Sequence, residues 1–240
     1  ESFKRDTAFQ LLNWISYKYG FGTYIHKIQG YFSAETDMRA KKDLEELRNY
    51  FDSADNQVYI DTLISPSYTS AIAQSIQVPG ISGMENNLVL LEFFKDDTSE
   101  LDAIVENLRL IDAGGFDIGI IGSSTKSVYF RGGIHIWLRS MDDTNANLMI
   151  LLAYIILGHP SWKKSDIRIF RLFREEQLPS IRKEQENLLN SGRLPISANN
   201  IEWIPEARES SFKTLVNEKS RNAGLTIIGF RIEHVKHDGS

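Results

Sequence analysis

The stretch Leu88-Val89-Leu90-Leu91-Glu92-Phe93-Phe94 decides the fold class. It is a near-continuous apolar run of strand length, the pattern expected of a strand covered on both faces, and such strands belong to parallel sheets. Downstream, helical spacing from about Thr98 to Ala113 stops at Gly114-Gly115, where glycine supplies the left-handed backbone that ends helices. Asp117 to Gly122 (DIGIIG) then reads as a second buried strand. Strand, helix and strand of these lengths make a βαβ unit, whose two strands run parallel because the helix carries the chain back.

The same alternation extends in both directions. Upstream, apolar residues at helical spacing over Asp6 to Gly20 predict a helix, and Thr23 to Tyr31 a strand. Ser33 stands as an N-cap with Glu35 and Asp37 in the first turn of a helix that reaches about Phe51. Gln57 to Ser65 is a β-branched strand, and a short helix from Tyr68 to Ile76 stops before Pro79. Downstream, Lys126 to Phe130 and Gly133 to Arg139 read as a hairpin turned at Arg131-Gly132. An apolar helix follows from Asp143 to Gly158, then a strand from Asp166 to Phe173 and a charged helix from Glu175 to Asn190. A short strand at Ile201 to Ile204, a helix from Ala207 to Arg221 and a strand from Leu225 to Arg231 complete the series. The expected fold is therefore α/β, a mainly parallel sheet flanked by helices. Gly114-Gly115 is the best boundary, dividing residues 1–115 from residues 116–240. The halves do not match at a fixed spacing, so no repeat is read.

Composition narrows the function. The 240 residues are 42% hydrophobic and 25% charged, ordinary for a globular protein, and they include no cysteine. Disulfides, zinc fingers and thiol catalysis are excluded together. A net charge of −5 and a pI near 5.6 argue against nucleic acid as a partner. Residues 1–120 hold 10 Lys and Arg against 19 Asp and Glu, whereas residues 121–240 hold 17 against 13. Two lobes with different solvated surfaces account for this, and the sharper reading has the second half facing lipid headgroups or a bound phosphate. The chain opens Glu1-Ser2-Phe3-Lys4 without a signal peptide, as a piece of something longer would. Two uncharged stretches, Thr62 to Met84 and Thr144 to Trp162, fall short of the ~20 predominantly apolar residues of a spanning helix.

Chemical signatures are sparse. No dinucleotide fingerprint, phosphate-binding P-loop, zinc-protease, EF-hand or nucleophile-elbow motif occurs. His26, His135, His159, His234 and His237 are scattered, and His26 and His135 in strands suit hydrogen-bonded structural roles, so no metal site is expected. Asp61 and Glu92 sit inside apolar strands, where burial would raise a carboxyl pKa; a place near a strand end or a basic partner is the favoured reading, because no nucleophile or second catalytic group stands beside them. The chain reads as a non-enzyme, with neither a catalytic residue nor a cofactor assigned.

Two glycine arrangements are candidates for holding phosphate. Gly80 and Gly83 belong to the loop Pro79 to Met84, and Gly122-Ser123-Ser124 follows the strand DIGIIG, at the end where α/β sheets place ligands. Tight turns alone also explain these glycines. The spacing Gly119-x2-Gly122-x9-Gly132 is similar to the nucleotide motif of universal stress proteins, except that Gly133 stands where that motif has Ser or Thr.

A family resemblance rests on the order of several segments. Gly30-Tyr31-Phe32-Ser33, the charged helix, and Asp61 to Gln74 (DTLISPSYTSAIAQ) resemble the cytosolic C-terminal domain of prokaryotic cation–chloride cotransporters. Pro79 to Asn87 leading into Leu88-Val89-Leu90 is similar to the glycine–methionine–asparagine turn of the animal members. Ile134 to Leu138, Leu148 to Leu157, Trp162 and Ile167 to Phe170 resemble that family's Trp-containing strand, apolar helix and following strand. The likeness covers about residues 30 to 175. The long insertions of the eukaryotic members are missing, so their regulatory phosphorylation is not carried over.

The resemblance implies a parent with about a dozen spanning helices that moves chloride with sodium, potassium or both. It implies two lobes related to the universal stress protein fold, placed on the cytoplasmic side of the cell membrane. It further implies a regulatory domain that forms a homodimer and contacts the membrane domain of the same polypeptide. The transported ions would bind in the membrane part. A nucleotide-sensing module similar to universal stress proteins is the alternative function, with a nucleotide as a possible partner.

Overall fold

The computed structural model describes residues 6–51, 58–78, 80, 84–139, 143–174, 198–206 and 211–235. They form two compact units, one of Glu1–Thr125 with Arg231–Ser240 and the other of Lys126–Phe230. Every ladder between named strands in either unit is parallel.

In the first unit, helix α1 (Asp6–Tyr19) leads into β1 (Gly22–Gln29), α2 (Ala34–Phe51), β2 (Val58–Ser65) and α3 (Tyr68–Ser75). Then come β3 (Leu88–Phe94), α4 (Leu101–Ala113) and β4 (Asp117–Ser123). β1 pairs with β2 and β3 with β4, so each helical crossover returns the chain beside the strand it left. Local chemistry sets the helix ends. Ser33 Oγ accepts the Thr36 N–H at 3.2 Å while Thr36 Oγ1 accepts the Ser33 N–H at 2.9 Å, a capping box with threonine as the returning acceptor. Ser67 caps α3 by accepting the Ser70 N–H at 3.0 Å. Gly115, at φ 77°, takes the left-handed turn that closes α4. The core gathers Phe9, Leu47, Phe51 and Val58, with the rings of Phe9 and Phe51 stacked 3.7 Å apart. On α4, Ile104, Leu108 and Ile111 form one buried stripe.

The second unit is a four-stranded sheet in the order β7-β6-β5-β8. Its strands are β5 (Ile134–Leu138), β6 (Ile167–Phe173), β7 (Ile201–Pro205) and β8 (Leu225–Ile228), with helices α5 (Asp143–Leu157) and α6 (Phe212–Lys219). All five residues of β5 are buried. One face of the sheet offers Trp137, Phe170 and Leu172, which pack against Phe212, Leu215 and Val216 of α6. Residues of opposite parity, Ile134, Ile136, Ile167 and Ile169, point to the other face and are also buried. α5 packs on β5 and buries Met149, Ile150, Ala153 and Ile156.

The α/β class and the parallel sheet flanked by helices agree with the expectation from sequence, and three details differ. The hairpin at Arg131-Gly132 does not form: residues 126–129 hold no strand and Phe130–Gly132 is a 3-10 turn. The reason is that β6 and β8 take both edges of β5, leaving none for an antiparallel partner. The first unit runs through Thr125 instead of ending at residue 115, because β4 pairs with β3; a helix-terminating glycine pair ends an element, not a unit. β3 is only half-buried except at Leu91, since a two-stranded ladder leaves each strand one open edge. The expected charged helix over Glu175 to Asn190 lies outside the described residues.

Candidate functional site

The glycine–serine segment at the carboxyl end of β4 is built into the ladder. Gly122 stands opposite Phe93, and a Cβ there would lie 3.2 Å from both the Phe93 ring and the Lys95 side chain. A side chain here would crowd both neighbours, which close over the bare strand. Ser123 is buried; its hydroxyl donates to the Phe93 carbonyl at 3.3 Å, and its own carbonyl accepts the Lys95 N–H at 2.9 Å. Ser124 follows, half-buried. Gly119, opposite Leu90, leaves room for that side chain's methyl group. Gly132 and Gly133 belong to the second unit, where the Gly132 backbone lies against the Asn222 carbonyl. In the other candidate loop, Gly80 packs against the Met84 carbonyl, while Gly83 lies outside the described residues.

The two strand carboxylates differ. Asp61 is exposed on β2, its Oδ1 accepting the Thr62 N–H at 2.8 Å. The Glu92 oxygens are shielded from solvent.

Two polar groupings are visible only in the fold. On the first, His26 of β1 lies 4.0 Å from Asp43 of α2, which is buried and 3.6 Å from Arg39. His26 is held below the ordinary imidazole value, chiefly by burial, with Arg39 and Lys27 adding and Asp43 opposing. In the second unit, Ser220 at the end of α6 joins two β5 side chains. Its Oγ accepts the Trp137 indole N–H at 2.9 Å and lies 2.9 Å from His135 Nδ1. Burial, aided by Arg168 and opposed by Asp166, lowers the His135 pKa, and its Nδ1 shares one hydrogen bond with the Ser220 hydroxyl. The sequence hint was the polar His135 inside an otherwise apolar strand; its partner, 85 residues away, left no local sign.

The remaining feature is a surface. α5 carries no charge from Thr144 to Leu157 and is apolar nearly all round. A helix of that kind is ordinarily enclosed on every side. Here Asn147, Leu151 and Tyr154, spaced to share one face, are exposed, Leu151 at 46% and Tyr154 at 42%. Among the described residues of the first unit, Tyr31 and Phe32 just beyond β1 are the most exposed large apolar ones, at 79% and 80%. Among the described residues, no helix is long and apolar enough to cross a membrane, and no three His, Asp or Glu side chains converge as metal ligands.

Comparison with known proteins places this fold. It is similar to the crystal structure of the cytoplasmic domain of a prokaryotic cation chloride cotransporter, with a TM-score of 0.63 and 14% sequence identity. The similarity spans 97% of this chain and 83% of that one. No family model matches the sequence. No curated protein matches it either.

Proposed function

We propose that this chain is the cytosolic regulatory and dimerisation domain of a secondary transporter that couples chloride movement to sodium, potassium or both. The observation that carries the reading is the shared fold with the cotransporter domain over 97% of the chain, beside the sequence resemblance of about residues 30 to 175. Its work is to bind and to transmit, not to catalyse: the candidate carboxylates lack a catalytic partner in the sequence, and the Ser123 hydroxyl is spent on a backbone carbonyl. Such a domain acts by preferring one conformational state of its transporter over another, so its contact surfaces are its functional residues.

The exposed stripe of α5 supports self-association. It is uncharged, so two copies can meet on it across a twofold axis without like-charge repulsion. Tyr31 and Phe32 suit a contact with the membrane domain of the same polypeptide. Sedimentation equilibrium of the isolated chain tests the first surface. The wild type is expected to be a dimer, and Leu151→Lys with Tyr154→Lys a folded monomer. A strictly monomeric wild type at high concentration would remove the dimerisation role.

A further inference from the structure

At the amino ends of β5 and β6, a cleft of about 460 Å³ opens between two turns of the second unit. One is the 3-10 turn Phe130–Gly132 and the other the 3-10 turn Pro160–Trp162. They are locked together. The Phe130 ring stands edge-on to the fully buried Trp162 at 5.0 Å, and Ser165 Oγ donates to the Phe130 carbonyl at 2.6 Å. His159 Nδ1 accepts the Ser161 N–H at 3.2 Å and fixes the second turn.

This interlock brings three cations to one rim, Arg131 from the first turn and Lys163 and Lys164 from the second. All three are exposed, and among the described residues none of them forms an ion pair. The adjacent carboxylate, Asp166, is paired instead with Arg168 at 3.5 Å. Ser161 adds a hydroxyl to the lining, and Tyr129, 58% exposed, adds an aromatic wall. Single surface lysines need no explanation. Three cations without ion pairs, carried by two interlocked turns and lining one concavity of ligand size, do.

We propose that this cleft binds a phosphate monoester. Arg131 is suited to hold two phosphate oxygens at once, and Lys163 and Lys164 supply point charges. Tyr129 covers the carbon portion of the ester. The inference concerns the second unit alone and does not rest on the transporter reading. It gives the positive balance of residues 121–240 a location.

The test uses the whole chain with soluble and membrane probes. Inorganic phosphate and AMP are titrated by calorimetry. Phosphatidylcholine vesicles containing phosphatidic acid are tested by co-sedimentation, with phosphatidylglycerol vesicles as the phosphodiester control. Binding of AMP or phosphate without vesicle binding supports a soluble ester as the source; binding of phosphatidic acid vesicles alone supports a lipid headgroup. In either case Arg131→Gln with Lys163→Gln should weaken binding by about tenfold or more, as loss of charge-assisted hydrogen bonds requires. Lys41→Gln with Lys42→Gln, on α2, should leave it unchanged. Circular dichroism checks folding, and Lys164→Gln alone is read if the double variant unfolds. Silence of all probes overturns the proposal, as does equal weakening by the α2 variant or equal binding of phosphatidylglycerol vesicles.

Discussion

Replacing Ser220 with alanine removes a single oxygen that serves two buried side chains. Trp137 is fully buried and His135 nearly so, and each lies 2.9 Å from Ser220 Oγ. Without the acceptor, the indole N–H is left unsatisfied inside the sheet–helix interface, which costs about 1–3 kcal/mol. The imidazole loses a hydrogen-bond partner worth about 1 kcal/mol. These losses do not sum fully, because Ser220 is only half-buried and water can enter the vacated position. The expected destabilisation is about 2–3 kcal/mol. Urea unfolding followed by tryptophan fluorescence should show a midpoint lowered by roughly 1 M, given the usual denaturant slopes. Ser220→Thr, which keeps the hydroxyl, should recover most of the loss. The Trp137 indole proton should exchange faster with solvent in the alanine variant. A loss under about 0.5 kcal/mol with that proton still protected would refute the reasoning.

Other substitutions test the frame. Leu47→Ala empties a fully buried site between Phe9, Phe51 and Val58 and should cost about 3 kcal/mol by denaturant titration; a change near zero would mean that the first unit lacks this core. Gly133 has φ 72°, and a Cβ there would lie 2.6 Å from the Asp166 carbonyl, so Gly133→Ala should cost about 2 kcal/mol or more. His26, His135 and His159 all have folded-state values lowered from 6.5, each mainly by burial. The unfolded chain therefore takes up protons first: this stability is complete above pH 6.5 and is lost as pH falls through the lowered folded values. Urea midpoints should fall between about pH 7.5 and 5, and midpoints that rise on acidification would contradict the sign.

The elements themselves were legible because their signals are local. β3 carries its apolar run, α2 its Ser33 cap and α4 its glycine stop within a few residues, and each stands within about three residues of its expected bounds. The reading of Lys126 to Phe130 failed because strand pairing is a competition. Nothing in that segment announces that β6 and β8, distant in sequence, take both edges of β5. The same limit hid the candidate sites. Arg131 and Lys163 are 32 positions apart, and the contacts that bring them together, Phe130 on Trp162 and Ser165 on the Phe130 carbonyl, are no sequence motif.

By itself the sequence determined the α/β class, the parallel character of the sheet and the absence of thiol chemistry. Periodicity, capping and composition act over a turn or a strand, so one chain suffices to read them. The tertiary structure alone decided that β4 closes the first unit, that Ser220 completes the polarity of β5 and that one face of the apolar helix α5 is left open to solvent. Those outcomes depend on which distant surfaces meet. Burial and hydrogen bonding are properties of the meeting, not of either segment.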